Sequence, residues 1–369
     1  MPAPLSILAL EPWLGGSHEQ FLLQWQASSE HEVRIVGLPA RHWKWRMASG
    51  GWRLAEKVIR EDVPRPDVIF VSSLCELAQL YGFLPNGWGD VPSVLYFHEN
   101  QLTYPLQDGE ERELAHGWQN LLSCARATRV VFNSAWHRDE LRQAGGDLLS
   151  KLPAPKPRAR IEQALEQADV IWPGIDCGGF PLGAGAPESA PLRVGFNHRM
   201  EHDKDPIAFL DACIEARKRG ADLEVVLMGA KFDKAPEGVS ARLEQLGDAA
   251  LFAGFDDDRA TYAARLGTCD VVVSTALHEF YGMAMLEALT TGCALLAPDR
   301  LAYREVLPTS VEGVELFADS ELAVRLTQHA RECPRLRDTQ ARTRRRTAAR
   351  PHDSAASAKA LDHLAREIT

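Results

Sequence analysis

The chain has 369 residues, more than one hydrophobic core usually serves, so two domains are expected. Its 45% apolar and 25% charged content is that of an ordinary globular protein. A formal charge of −10 argues against a protein that coats nucleic acid without specificity, though not against a local basic patch. The seven cysteines (Cys75, Cys124, Cys177, Cys213, Cys269, Cys293 and Cys333) are odd in number and never form a CxxC. That spacing argues against a disulfide framework or zinc site and for a reducing, cytoplasmic setting. The run Leu5–Leu10 is too short for a signal segment and has no basic residues before it, and no stretch approaches the about 18 apolar residues of a membrane span. No membrane partner is therefore expected.

Taken in chain order, short apolar runs alternate with amphipathic stretches. Strands are predicted at Leu5–Leu10, Glu32–Gly37, Asp67–Val71, Ser93–Phe97, Arg129–Phe132 and Val170–Trp172. A second series follows at Leu192–Phe196, Leu223–Met228, Leu251–Phe255, Asp270–Ser274, Ala294–Ala297 and Val314–Phe317. Continuous apolar strands between helices imply buried parallel sheets. The Gly-, Pro- and Ala-rich segment 174–191 reads as a linker. The reading is an α/β chain of two doubly wound, Rossmann-like domains, 1–173 and 192–350, facing each other across a cleft. The basic run Arg342–Arg350 precedes a closing segment, 351–369, expected to pack back on the first domain.

In such folds ligands bind beyond the carboxyl ends of strands, so the residues just after strands matter most. Behind Leu192–Phe196 lie Arg199 and Lys204, in a loop whose Asp205-Pro206 opens a helix. Two cations there suit a diphosphate leaving group, the bland alternative being solvated surface charges. Asp203 and Asp205 spell a DxD, but a capping role for Asp205 argues against a metal. Behind Asp270–Ser274 a helix begins near Gly282, Met283 and Ala284. Its first amides favour phosphate, and Gly282 allows close approach. Glu279, before that helix, is placed to reach a sugar. Glu287, a turn inside, is placed to accept the hydroxyls of a ribose. An ordinary capped surface helix is the plainer alternative.

In the first half, Gly15-Gly16-Ser17-His18 follows the first strand, and His98-Glu99-Asn100 with Tyr104 follows the fourth. The stretch Arg41-His42-Trp43-Lys44-Trp45-Arg46 interleaves cations with two tryptophans. That pattern suits unpaired bases stacking on aromatic rings, unless both indoles pack inward.

Arg-x4-Lys followed by Glu-x7-Glu resembles the retaining GT-B glycosyltransferases of family 4 type, as does Ile171-Trp172-Pro173-Gly174-Ile175-Asp176, though an Asn common before that glycine is absent. The combination of Gly-Gly-Ser-His, Leu-Pro-Ala-x-x-Trp-x-Trp-Arg, Tyr-Phe-His-Glu-Asn-Gln-Leu-x-Tyr-Pro, Phe-Asn-Ser at 132–134, Arg-x-Glu-His-Asp-Lys-Asp-Pro and Ser-Thr-Ala-x-His-Glu-Phe resembles a narrower family, the tRNA-queuosine α-mannosyltransferases, over nearly the whole chain. The resemblance implies a metal-independent enzyme with no cofactor beyond its donor substrate, moving mannose from GDP-mannose to queuosine in tRNA with retention. It implies that Arg199, Lys204, Gly16, Gly282, Met283 and Ala284 meet the diphosphate, Glu287 the ribose, and Glu279 and His98 the transferred sugar. Gly15, Ser17, His18, Arg41, Trp43, Lys44, Trp45, Arg46, Asn100 and Tyr104 are expected on the acceptor side. Two alternatives stay open at this point: a GT-B transferase acting on a lipid or polysaccharide, and a non-catalytic RNA-binding protein on the same scaffold.

Overall fold

The computed structural model describes residues 3–106, 109, 111–229 and 236–369. They divide into two compact units, one of residues up to Gly174 together with Ser354–Thr369, the other Ile175–Asp353. Each unit holds a six-stranded, wholly parallel sheet.

The first unit contains β1 Ser6–Leu14, β2 Glu32–Pro39, β3 Val68–Ser72, β4 Ser93–Phe97, β5 Arg129–Phe132 and β6 Asp169–Val170, in the order β2-β1-β3-β4-β5-β6. Successive residues of β1 serve opposite faces. Leu8 and Leu10 enter a core with Leu54, Val58 and Leu80, while Ile7 and Ala9 enter another with Phe21, Trp25 and Phe70. Burial on both faces is why the strand reads as a continuous apolar run rather than an alternating one. The structure extends β1 past the apolar run to Leu14, through an irregularity between Glu11 and Leu14. It shortens the edge strand β6, which precedes Pro173.

The closing helix, Ser354–Glu367, belongs to this first unit. Leu361 and Leu364 pack among Phe21, Leu22 and Trp25. Asp362, itself buried, accepts from Trp25 Nε1 (2.9 Å), the Ser29 hydroxyl (2.7 Å) and the Glu30 amide (2.8 Å). One carboxylate thus joins the end of the chain to its first helix, Gly16–Ser28.

The second unit contains β7 Leu192–Phe196, β8 Leu223–Met228, β9 Ala250–Gly254, β10 Val271–Val273, β11 Ala294–Pro298 and β12 Val314–Phe317, in the order β12-β11-β10-β7-β8-β9. Residues 175–191, linker-like in composition, pack within this unit. Phe180 is fully buried, and the Gly183 amide donates to the Thr291 carbonyl. A Cβ on Gly183 would lie 2.1 Å from the Gly267 carbonyl oxygen, so only glycine fits there.

The basic run is not a surface polycation. Arg342 and Arg345, on the helix Thr339–Ala348, are buried. Arg342 donates to the carbonyls of Gly183, Gly267, Cys269 and Thr291, and Arg345 to those of Gly292 and Leu336. Beside them Arg337 grips the fully buried Asp270 through two hydrogen bonds of 3.0 and 2.7 Å, while Asp270 also accepts the amides of Ala186 and Arg193. The guanidinium groups satisfy carbonyls of segments that have no ladder of their own.

In both sheets the strand order reverses once, between β1 and β3 in the first unit and between β7 and β10 in the second. The loops that leave these strands at the carboxyl edge lie where such folds bind ligands. Asp270, at the base of β10, is expected to be indispensable to the second unit. Asp270→Ala removes the charge facing Arg337, which keeps only backbone carbonyls, and leaves the Ala186 and Arg193 amides without their acceptor, so it should destabilise that unit by about 3–5 kcal/mol in urea unfolding. A loss below about 1 kcal/mol, the worth of an exposed pair, would contradict this.

Candidate active site

In the second unit β7 and β10 are neighbours, so the loops that follow them meet. Thr275 donates its hydroxyl to the carbonyls of Lys204 and Asp205, and the Leu277 amide donates to the Asp203 carbonyl. This stitching buries Lys204. Its Nζ donates to the Glu279 carboxylate (3.1 Å) and the His278 carbonyl (2.9 Å), and lies 3.2 Å from the Asp203 carboxylate. Burial works against an ionised Glu279, but Lys204, His198 and the Tyr281 amide more than offset it and hold its carboxyl down at about 2. Burial, with Lys204 nearby, pulls the His198 imidazole down to about 4. Its Nε2 is buried without a hydrogen-bond partner. Arg199 differs from Lys204: its side chain is exposed and lies 3.0 Å from Glu201.

Asp205 caps the helix Pro206–Lys218 by accepting the Ala208 amide, with Pro206 in the first turn. Its DxD partner Asp203 is buried against Lys204. Both carboxylates therefore have structural employment.

The helix Met283–Thr290 starts where the sequence indicated, with Gly282 at φ 98°. A Cβ on Gly282 would lie 2.8 Å from the Tyr303 ring, whose hydroxyl is 2.7 Å from Ser274 Oγ. Glycine is thus demanded twice, by the left-handed backbone and by Tyr303. The amides of Met283 and Ala284 open the helix, and Glu287 lies one turn in. The Tyr262 hydroxyl donates to Glu287 Oε2 (2.9 Å), and Arg259 lies 3.8 Å from Oε1. Burial raises the Glu287 carboxyl, with Tyr262 and Arg259 opposing. Asn197 Nδ2 donates to the Tyr262 oxygen and the Ala284 carbonyl, leaving its Oδ1 buried without a partner.

Sequence reasoning passed over both Asn197 and Tyr262. Asn197 had a signal, being the first residue after β7. Tyr262 had none, because only the packing of the helix Arg259–Gly267 brings it to Glu287.

In the first unit the glycine pair divides its work. Gly15 is extended, and a Cβ there would lie 2.6 Å from Ala40 Cβ. Gly16, at φ 58°, turns the chain into the helix Gly16–Ser28 and has open space around it. Gly16 and Ser17 are exposed, but His18 is buried. Its Nδ1 lies 3.3 Å from Oε2 of Glu11, a buried carboxylate whose Oε1 accepts the Ser72 hydroxyl and the Trp13 amide at 2.8 Å each. His98, at the end of β4, stacks its ring 4.2 Å from that of His18. Asn133 holds the His98 carbonyl through Nδ2 and pairs its Oδ1 with His137 Nδ1, which gives the Phe-Asn-Ser segment a structural meaning.

Among the described residues, Glu11, His18 and His98 are the His–Glu group whose ligand atoms lie within 4.8 Å of one another. Glu11 is faced by Ser72, Trp13 and His18, and the two imidazole rings are tilted by 33° to each other.

Two acceptor-side expectations are corrected. Asn100 is fully buried and turned into its own loop, its Oδ1 accepting the amides of Leu102 and Thr103 while Nδ2 donates to Thr103 Oγ1. Arg46 is 2% exposed, with Nε and Nη2 donating to the Pro39 carbonyl. Helical period explains Arg46. On the helix Trp43–Arg60 it shares the inward face with Met47, Gly50 and Leu54. Arg41, Lys44, Trp43 and Trp45 do lie on the surface, the tryptophans 39% and 56% exposed. Lys44 pairs with Glu113 at 2.7 Å, and the Trp43 ring lies 5.6 Å from that of His116. Tyr104 is half-buried, its carbonyl accepting from Arg112.

Known proteins resemble this chain along most of its length. Residues 6–175 match the family described as tRNA-queuosine alpha-mannosyltransferase N-terminal, and residues 186–345 match the glycosyl transferases group 1. The tRNA-queuosine alpha-mannosyltransferase of Drosophila melanogaster is 33% identical over 311 residues, covering 82% of this chain and 81% of its own. A GDP-mannose-dependent alpha-(1-6)-phosphatidylinositol dimannoside mannosyltransferase of Mycobacterium tuberculosis is 25% identical over 358 residues, covering 88% and 84%. Among solved structures, sucrose-phosphate synthase from Thermosynechococcus elongatus matches with a TM-score of 0.75 at 14% identity, covering 98% of this chain and 99% of its own. Anabaena HepE in complex with UDP matches at 0.65 and 17%, covering 98% and 100%. These two share the fold. The two parallel sheets, the glycosyltransferase domain and the Drosophila relative agree: the protein is a GT-B glycosyltransferase and belongs to the tRNA-queuosine alpha-mannosyltransferase family.

Proposed function

We propose that the protein transfers mannose from GDP-mannose to a cyclopentene hydroxyl of queuosine in cytoplasmic tRNA, with retention at the anomeric carbon. The observation that carries this reading is the buried Lys204–Glu279 pair beside the Gly282 helix start, one turn from Glu287. A diphosphate needs the cation and the helix amides, a hexose needs the neighbouring carboxylate, and a ribose needs Glu287. The Drosophila relative's name supports the acceptor, and the mycobacterial relative's name supports the donor. Seven free cysteines fit a reducing compartment, and among the described residues no helix is long and apolar enough to cross a membrane.

In this mechanism the bond from the anomeric carbon to the β-phosphate oxygen breaks. The acceptor oxygen forms its bond on the same face. The acceptor proton passes to the departing phosphate oxygen, so GDP leaves and mannosyl-queuosine remains. Arg199, Lys204 and the Met283 and Ala284 amides take up the growing charge on the diphosphate, and Gly16 leaves room for it. Lys204 spends its three donors on Asp203, Glu279 and the His278 carbonyl, so it meets a phosphate by exchanging one of them. Glu279 and His98 hold the sugar as positive charge develops on it. On the acceptor side, Trp43 and Trp45 offer rings to unpaired anticodon-loop bases, with Arg41 and Lys44 beside them for phosphates.

Nucleoside mass spectrometry of queuosine-containing tRNA incubated with the protein and a panel of sugar nucleotides tests the reading. A hexose gain on queuosine with GDP-mannose is expected. Gain on a lipid extract, or none with any donor, would reject it. Lys204→Ala should lower kcat/KM by about a hundredfold, the usual cost of one stabilising donor, with thermal unfolding followed alongside because two carboxylates lose their partner. Full turnover in that variant would end the assignment. Trp45→Ala removes an exposed ring and should weaken tRNA binding by about 1–3 kcal/mol in filter binding, leaving the KM for GDP-mannose unchanged.

A further inference from the structure

The first unit contains a charge arrangement that the transfer mechanism above does not use. Glu11 lies inside β1, 1% exposed, at the carboxyl end of the strand where the sheet order reverses. Ser72, from the neighbouring β3, and the Trp13 amide both donate to its Oε1, which fixes the carboxylate and turns Oε2 toward His18 Nδ1 at 3.3 Å. His18 is 7% exposed and carries the ring of His98 at 4.2 Å, tilted by 33°. Two aromatic rings also pack against His98. Phe21 meets it edge-on at 4.9 Å, and Tyr96 lies 4.6 Å away. His98 Nε2 is buried without a hydrogen-bond partner.

We propose that Glu11 and His18 are positioning residues for His98: the carboxylate keeps a proton on His18, and that cation, stacked on the second ring, makes His98 present a neutral imidazole whose Nε2 is left for a substrate hydroxyl. The inference rests on the reading that His98 meets the transferred sugar. A carboxylate, an imidazolium and a neutral imidazole in series fit a buried site. The first two cancel, so only one ring faces substrate and it carries no net charge to repel a sugar becoming positive.

The charged groups around the pair act consistently. Burial opposes a proton on His18, but Glu11, and Glu99 from the loop after β4, raise it above the ordinary imidazole value. Burial lowers His98 well below that value, and His18 on one side and His137 on the other push the same way.

Two variants and two readouts test the relay. Glu11→Gln keeps the shape and an oxygen for Ser72, and His18→Gln removes the cation directly. Imidazole NMR titration of the full chain is expected to show His18 losing its proton above 6.5 and His98 remaining neutral far below it. In both variants His98 should titrate about one pH unit higher, because its repelling neighbour is gone. The acid limb of kcat/KM should move upward by the same shift, which a merely structural role would not produce.

The relay is overturned if His98 titrates unchanged in both variants, or if His18 in the wild type loses its proton below 6.5. It is also overturned if the wild type retains one zinc per chain after dialysis and Glu11→Gln does not, since an ion there would take the place of the His18 proton. A His98→Ala variant with undiminished transfer would instead remove His98 from the sugar, while the imidazole titrations would still report on the relay.

Discussion

A parallel sheet sends every strand out at the same edge, and that constraint governs the rest of this structure. Each crossover must return along a face, so both faces are covered and the strands become apolar throughout. The loops at the carboxyl edge carry many of the polar residues, and ligands bind where the strand order reverses. In the second unit the reversal falls between β7 and β10, and there Lys204 and Glu279 close an ion pair across 75 residues of chain. In the first it falls between β1 and β3, and there Ser72 orients Glu11. The same topological device yields two different electrostatic products, a buried cation–carboxylate pair and a carboxylate–imidazole series.

Burial sets the strength of both. An exposed lysine beside a glutamate is worth little, whereas Lys204 keeps Glu279 ionised against the desolvation that would otherwise raise its carboxyl. Such a pair is poised for exchange. Glu287 is prepared differently, held from one side by Tyr262 and faced from the other by Arg259, with burial favouring its protonated form. Asn197 ties this group to the start of the Gly282 helix, so Glu287 and the first turn of that helix share one support.

The irregular segments are held by arginine. Residues 175–191 form no strand, and their carbonyls would go unpaired on burial. Arg337, Arg342 and Arg346 supply the donors from one short helical region. A guanidinium offers five donors in one plane, which lysine does not, so this stretch is rich in arginine and has no lysine.

Twelve strands and their parallel arrangement were legible in the sequence, because buried parallel strands leave patterns of short range. Gly282 and Asp205-Pro206 announced their helices for the same reason, since φ and capping preferences are local. Exposure along a helix was less legible. The Arg41-His42-Trp43-Lys44-Trp45-Arg46 stretch looked uniform, and only the helical face on which each residue falls separates buried Arg46 from exposed Trp45. Asn100 looked available because its Asx turn consumes the side chain in a way composition does not reveal. Glu11 and Tyr262 were beyond sequence reasoning, and so was the work of the arginine run. Each acts on a partner brought near only when the sheet order is fixed, and that order is decided by packing over distances at which the chain carries no periodic signal.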